Sequence, residues 1–279
     1  MNSLRVTVIQ MDIAWRNKQE NLRWICQQLQ QLSGTTEIVV LPEMFSTGFS
    51  MHPASLAEAN EGRTMTALQE WAREFNLAIA GSFIAKEETA EGNADEGNAA
   101  EGNAAEDNAV YYNRAFFISP DSEVCFRDKH HLFRMGGEHR VYQPGKSREI
   151  IHYRGWRILL QVCYDLRFPV WSRCRDNEYD LLIYVANWPE ARQTAWDTLL
   201  RARAVENLCY VAGCNRVGED GGGMRHAGGS AIIDFKGEYL ASFAKNEEGM
   251  ATATLFLDAI NSFRERFPAF QDADSFTLL

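Results

Sequence analysis

No apolar run in this chain approaches the ~20 residues that a helix needs to cross a bilayer, so no membrane-spanning segment is expected. Positive charge is also scarce. Lys and Arg number 28 against 38 Asp and Glu, for a net charge of −10. Binding to phosphates needs a basic face, so nucleic acid is excluded as the main partner. The six cysteines include no Cys-x-x-Cys pair, and a zinc site would need four convergent ligands. His130 and His131 are adjacent and poorly placed to share one ion, so no metal is expected. Met1-Asn2-Ser3-Leu4-Arg5 leads directly into a strand-like segment; the expectation is no signal peptide and a cytoplasmic protein. No Gly/Pro-rich linker divides the 279 residues, which reads as one domain over 1–279.

What is present is a regular alternation of strand and helix patterns. Leu4–Gln10 reads as a strand, and Asn17–Leu32 as a helix with Leu22, Ile25, Leu29 and Leu32 on one face. A strand at Glu37–Leu41 and a helix at Thr64–Phe75 follow, then strands at Leu77–Ala85, Val110–Ser119, Glu123–Arg127, Glu149–His152 and Trp156–Cys163. The second half reads as a helix from Pro169 to about Arg175, a strand at Asp180–Asn187 and a helix at Thr194–Leu208. Strands near Tyr210–Arg216, Gly229–Asp234, Tyr239–Phe243 and Ala251–Leu255 precede a last helix from about Asp258. Continuous apolar strands such as Leu181-Leu182-Ile183-Tyr184-Val185-Ala186 imply sheets covered on both faces. The fold class expected is α/β, with helix–sheet–sheet–helix layers. Residues 87–108 interrupt the pattern with a degenerate Glu-Gly-Asn-Ala repeat that has no large apolar side chain. It cannot offset its ordering entropy by burial, and reads as an acidic insert in a hairpin loop.

Three strand ends carry chemistry. The apolar stretch Ile38–Leu41 stops at Pro42-Glu43, Val124–Asp128 leads to Lys129, and Arg157–Val162 runs into Cys163. Carboxyl ends of strands are where α/β enzymes keep nucleophiles, so a carboxylate, an ammonium and a thiol placed there can form one site. A thiol is only a few per cent ionised at neutral pH, so a neighbouring base must take its proton. The other five cysteines read as small buried hydrophobes. His130 or His131 could also pair with a thiol, but no Asn or Asp that would orient either ring is evident.

The segments Val-Val-Leu-Pro-Glu43, Arg-Asp-Lys129-His-His-Leu-Phe and Cys163-Tyr-Asp-Leu-Arg-Phe-Pro, in that order, resemble the nitrilase, or carbon–nitrogen hydrolase, superfamily. Arg201-Ala-Arg203-Ala-Val-Glu206-Asn207 and Asn215-Arg216-Val-Gly218 extend the likeness over all of the chain but the repeat. The resemblance implies a four-layer α-β-β-α sandwich that pairs into a homodimer, with no cofactor. It implies Glu43 as general base, Cys163 as nucleophile, and Lys129 with the Tyr164 backbone N–H as oxyanion donors. Glu138 matches a second glutamate that orients the lysine; a loop salt bridge with Arg134 or Arg140 is its plainer alternative.

Asp165 and Arg167 belong to the matched motif and are expected to pin the turn. Asn187, Trp188 and Phe49 are candidate pocket walls, with Phe45 and Phe133 either wall or core. Asn187-Trp-Pro-Glu-Ala-Arg192 and Lys129-His-His-Leu-Phe-Arg134 resemble the bacterial omega-amidases. That implies a small-molecule amide substrate, namely the terminal amide of short keto-dicarboxylate monoamides such as 2-oxoglutaramate and 2-oxosuccinamate. Such a substrate ends in a carboxylate, for which Arg192 is the first candidate reader and Arg134 the second. A nitrilase, an N-carbamoyl amino acid amidohydrolase or a non-catalytic binding module remain as alternatives.

Overall fold

The computed structural model describes residues 2–88, 109–121 and 123–277. The first half runs β1 (Ser3–Gln10), α1 (Lys18–Leu32), β2 (Ile38–Val40), α2 (Arg63–Glu74), β3 (Ala78–Glu88), β4 (Ala109–Ile118) and β5 (Val124–Asp128). The second runs β6 (Ile151–Tyr153), β7 (Trp156–Val162), α3 (Pro169–Ser172), β8 (Leu181–Ala186), α4 (Gln193–Asn207) and β9 (Tyr210–Asn215). It closes with β10 (Val217–Glu219), β11 (Arg225–Ala227), β12 (Ala231–Ile233), β13 (Tyr239–Ser242), β14 (Gly249–Phe256) and α5 (Leu257–Arg266).

Two six-stranded sheets form, in the orders β14-β1-β2-β3-β4-β5 and β13-β12-β9-β8-β7-β6. Each has three parallel strands at its centre, β1-β2-β3 and β7-β8-β9, flanked by antiparallel ones. Alternation along the strands decides which side each residue faces. Val6, Val8, Ile38 and Val40 of the first sheet join Leu160, Val162 and Leu182 of the second in one core. On the opposite face Ile9, Val39 and Ile79 meet Leu22, Ile25 and Leu29 of α1 and Met65 and Leu68 of α2. Each such side chain removed from water contributes roughly 1.5–3 kcal/mol. Asn17 caps α1 by accepting the Glu20 N–H at 3.2 Å, a contact worth about 1 kcal/mol. Trp196, Leu200 and Ala204 of α4 and Ile260 of α5 belong to the core of the second sheet. The layers are therefore α-β-β-α, as expected from the sequence. Helix α4 lies so close over β9 that a Cβ on Gly213 would come within 2.5 Å of the Leu200 side chain.

Two local expectations are corrected. Helix α3 ends at Ser172 rather than near Arg175. Arg173 is extended, and the Cys174 N–H donates to Asn207 Oδ1 at 2.9 Å instead of continuing the helix. The antiparallel pair β10–β11, joined through Asp220-Gly-Gly-Gly-Met224, was not foreseen. Most of the repeat segment, residues 89–108, lies outside the described residues; β3 and β4 on either side of it pair antiparallel up to Glu88 opposite Ala109.

Candidate active site

The parallel strands deliver their carboxyl ends to one rim. Glu43 follows β2 and Cys163 follows β7, while Asn187 follows β8; Lys129 comes from the end of β5. Cys163 has φ +45°, a left-handed conformation that costs a non-glycine residue energy and recurs where a side chain must be presented. It opens a short 3-10 turn, Cys163–Arg167. Asp165 holds that turn, its Oδ2 accepting the Val162 N–H at 3.1 Å.

Glu43, Lys129 and Glu138 are all buried. Lys129 Nζ donates to Glu43 Oε1 at 2.9 Å and lies 2.9 Å from Glu138 Oε2. An ammonium has three N–H donors, so two carboxylates leave one to spare. The Phe49 ring closes this side, its centre 5.2 Å from Lys129 Nζ. Asn113 Nδ2, on β4, bridges the two carboxylates at 2.8 Å from Glu43 Oε1 and 3.0 Å from Glu138 Oε1. The Phe133 N–H donates to Glu138 Oε2 at 2.6 Å. Glu138 thus pairs with Lys129, not with Arg134 or Arg140. On the far side of Glu43, Oε2 accepts the Asn187 N–H at 2.8 Å, and the Asn187 side-chain amide donates to the Glu43 carbonyl. The Cys163 thiol shares the cavity with the Glu43 carboxylate and Lys129.

Burial alone would drive the Lys129 ammonium to give up its proton, but Glu138 and Glu43 outweigh it and hold the group charged well above the ordinary lysine range. Burial, then the charge of Glu43, pushes the Glu138 carboxyl up against the pull of Lys129. The Cys163 thiol is pushed well above its usual range by burial first and Glu43 second, with Lys129 opposing. The resting sulfur is therefore a neutral thiol beside a carboxylate able to accept its proton.

These groups open into a cavity of about 170 Å³. Phe49, Phe133, Tyr164, Asn187, Trp188 and Arg192 line it, and Phe45 lies in the core. Arg134 does not line it. That residue is exposed and borders a neighbouring cavity with His130, His131 and Phe168. The expectation that no acid orients a histidine is also corrected, since Asp165 Oδ1 accepts the His131 N–H at 2.9 Å and lies 2.8 Å from His131 Nδ1. That ring stacks on Phe168 at 3.7 Å and lines the neighbouring cavity, not the one that holds the sulfur. Arg167 does not pin the turn, which Asp165 does; it lines the cavity with its guanidinium 5.0 Å from the Trp188 ring.

Not expected from the sequence were Asn113 and the β10–β11 hairpin, whose Asp220, Met224 and His226 complete the wall together with Gly136 and Pro189. The polar pair Asn113-Arg114 in the middle of the largely apolar β4 was the available signal for the first, and Asp-Gly-Gly-Gly the turn signal for the second. Among the described residues no three His, Cys, Asp or Glu side chains converge as metal ligands.

A thiol, an adjoining carboxylate and a fixed ammonium thus stand together on the strand ends of a four-layer α/β sandwich, the groups that hydrolysis through a covalent thiol step would need. The chain belongs to the carbon-nitrogen hydrolase family, which matches residues 5–265. It is 43% identical over the full length of both chains to omega-amidase YafV of Yersinia enterocolitica. It is 28% identical to the 2-oxoglutaramate amidase of Bacillus subtilis, with 96% of each chain covered. Among solved structures, a CN-hydrolase superfamily protein from Xanthomonas campestris, described with an arsenic adduct in its active site, superposes with a TM-score of 0.90. The two are 39% identical, with all of both chains covered.

Proposed function

We propose that the protein is an omega-amidase that hydrolyses the terminal amide of short keto-dicarboxylate monoamides, of the 2-oxoglutaramate and 2-oxosuccinamate type, to the dicarboxylate and ammonia. The likeness to omega-amidase YafV over the whole chain supports this substrate class. The observation that carries the chemistry is Cys163 lining one cavity with the Glu43 carboxylate and with a Lys129 ammonium that two buried carboxylates hold in place.

Glu43 takes the thiol proton as sulfur attacks the amide carbon, so no free thiolate need accumulate despite the raised thiol pKa. The carbonyl oxygen gains the electron pair and is held by the spare N–H of Lys129 and the Tyr164 N–H. As the oxyanion collapses the C–N bond breaks, and Glu43 returns its proton to the departing ammonia. Glu43 then deprotonates a water, which attacks the thioester; the C–S bond breaks and the proton passes back to sulfur. Glu138 and Asn113 keep Lys129 and Glu43 in place.

One catalytic domain spans 1–279 in this reading, with the acidic repeat at 87–108 as a hairpin insert. The chain works as a cytoplasmic homodimer. Six unpaired cysteines fit a reducing compartment, and the exposed Val170 on α3 and Val205 on α4 offer apolar surface for a partner. No described helix is long and apolar enough to cross a membrane.

The test is ammonia release from a panel of ω-amides, nitriles and N-carbamoyl amino acids, with mass spectrometry of enzyme quenched in turnover. The ω-amides should be the best substrates, with an acyl adduct on the Cys163 peptide. A better nitrile or carbamoyl substrate would replace the reading, and an adduct on Cys174, Cys209 or Cys214 would displace the nucleophile.

A further inference from the structure

Among the described residues, six buried side chains line the cavity that holds the sulfur: Glu43, Lys129, Cys163, Asn187, Trp188 and His226. All but His226 are already committed. Glu43, Lys129 and Cys163 carry the proposed chemistry. Asn187 gives its backbone N–H and its side-chain amide to Glu43. Trp188 donates its backbone N–H to Asn215 Oδ1 at 2.7 Å and its Nε1 to the Arg192 carbonyl at 2.8 Å. His226 has no such task. It is 3% exposed, and its Nδ1 is sealed from solvent with no hydrogen-bond partner among the described residues. Nε2 is therefore the polar atom of the ring on the cavity side. A polar group in a dry wall is unfavourable without a partner, so its place there calls for a ligand atom to meet it.

The hairpin that carries this ring is tied down on both strands. On β10 the Val217 N–H donates to the Met11 carbonyl at 3.0 Å, and the preceding Arg216 donates from Nη2 to Asp12 Oδ1 at 2.8 Å. The turn lies so close on Trp15 that a Cβ on Gly221 would fall 2.1 Å from its Nε1. On β11, Arg225 Nε lies 3.5 Å from Glu190 Oε2. A ring fixed in this way is preorganised for one contact. It is also kept neutral. Burial first and Arg216 second depress its pKa to about 4, with Asp220, the Met224 backbone and Glu43 opposing. At neutral pH it is thus no counter-charge for an anion, but an imidazole with one N–H and one lone pair. Arg216 is fully buried and does not line the cavity, so its charge reaches the ring from the body side, where Nδ1 is sealed. A cation there favours the lone pair on Nδ1 and leaves the N–H on Nε2, facing the cavity.

We propose that His226 donates a hydrogen bond from Nε2 to the 2-oxo oxygen of the substrate, and so sets a preference for 2-oxo amides over amides with a methylene at that carbon. This deepens the omega-amidase reading and rests on it for the identity of the amide. A ketone oxygen is a neutral acceptor, and a neutral donor matches it where a charged one would be drawn to the carboxylate instead. In a cavity of about 170 Å³, a five-carbon amide with its amide carbon at Cys163 has its remaining atoms against the walls. An analogue lacking the oxygen leaves the Nε2 N–H unpaired, and a site built to bond a group rejects the analogue without it.

The experiment compares 2-oxoglutaramate with glutaric monoamide in full-length wild type, His226→Phe and His226→Gln. The two substrates share the carboxylate and differ only at the 2-position. Wild type should favour the 2-oxo amide in kcat/KM. His226→Phe keeps a flat ring without a donor and should lose about tenfold of that ratio, whereas His226→Gln, with an N–H near the position of Nε2, should recover part of it. The ratio is taken within one variant, so partial misfolding does not imitate the result. A second measurement needs no turnover, namely protection of Cys163 from iodoacetamide by 2-oxoglutarate relative to glutarate. Stronger protection by 2-oxoglutarate in wild type that disappears in His226→Phe supports the contact even if neither amide is cleaved, in which case only the amidase reading fails. A 2-oxo preference that survives in His226→Phe overturns the role of His226 and leaves the amidase reading standing. Equal turnover and equal protection in wild type, with or without the 2-oxo group, overturn the contact outright.

Discussion

At the scale of single residues, the site depends on one thiol held neutral between a carboxylate and an ammonium. Glu43 raises the Cys163 pKa and Lys129 lowers it, with burial the largest influence of all. Removing each charge should therefore move the thiol in opposite directions. In Glu43→Gln the thiol should titrate at lower pH than in wild type, and in Lys129→Ala at higher pH, read by thiolate absorbance or by the pH dependence of iodoacetamide alkylation. Turnover should fall in both, by on the order of 10²-fold or more in kcat, because a base is lost in one and an oxyanion donor in the other. A Glu43→Gln thiol that ionises more readily yet turns over normally would remove Glu43 from the mechanism. The types and order of Glu43, Lys129 and Cys163 were legible in the sequence because each ends a strand pattern. Asn113 was not legible, since its job is to join two carboxylates that meet only when β4 lies beside the segment that follows β5. Arg167 was misread for a similar reason: its partner is the Trp188 ring, which no local spacing places beside it.

The elements that periodicity could identify are those with a strong apolar repeat. Helices α1 and α4 and strands β1, β7, β8 and β9 lie within a residue or two of their expected bounds. Strands β10 and β11 carry three residues each and no apolar alternation, so apart from the Asp220-Gly-Gly-Gly turn signal nothing in the sequence separated them from a loop. Yet that hairpin brings His226 to the cavity wall. Burial first, then the positive charge of Arg216, depresses this imidazole to about 4. A histidine whose folded pKa lies below its unfolded value binds fewer protons when folded, so stability rises with pH through that window. The cost is absent above about 6.5 and grows as the pH falls towards 4, to an upper limit of roughly 3 kcal/mol. Denaturant unfolding should therefore show wild type losing stability between pH 6.5 and 4.5, and His226→Asn losing distinctly less. An identical pH profile in the variant would mean that this imidazole is not the group responsible.

At the scale of the molecule, two sheets stacked through a shared core place the ends of their central strands on one rim, and the chemistry follows from that placement. Layer order was readable because parallel strands buried on both faces leave an unbroken apolar signature, as in β8. The repeat segment at 89–108 contains no side chain larger than Glu and nothing apolar beyond Ala, so its sequence offers no large apolar side chain to a core. It does carry Glu91, Asp95, Glu96, Glu101, Glu106 and Asp107 with no base, and so accounts for most of the net charge of −10. Its flanking strands pair with each other, with Glu87 opposite Val110 and Glu87 bridged to Arg114 at 2.7 Å. Joining Glu88 to Ala109 through a short Gly-containing turn should then leave Tm within a few degrees and kcat/KM for 2-oxoglutaramate little changed at physiological salt. At low salt the same deletion should raise kcat/KM for the anionic amide more than for pentanamide, because an unscreened negative field no longer opposes its approach. A large fall in Tm, or equal effects on both substrates at every salt concentration, would show that the repeat acts through contact with the body and not through its charge.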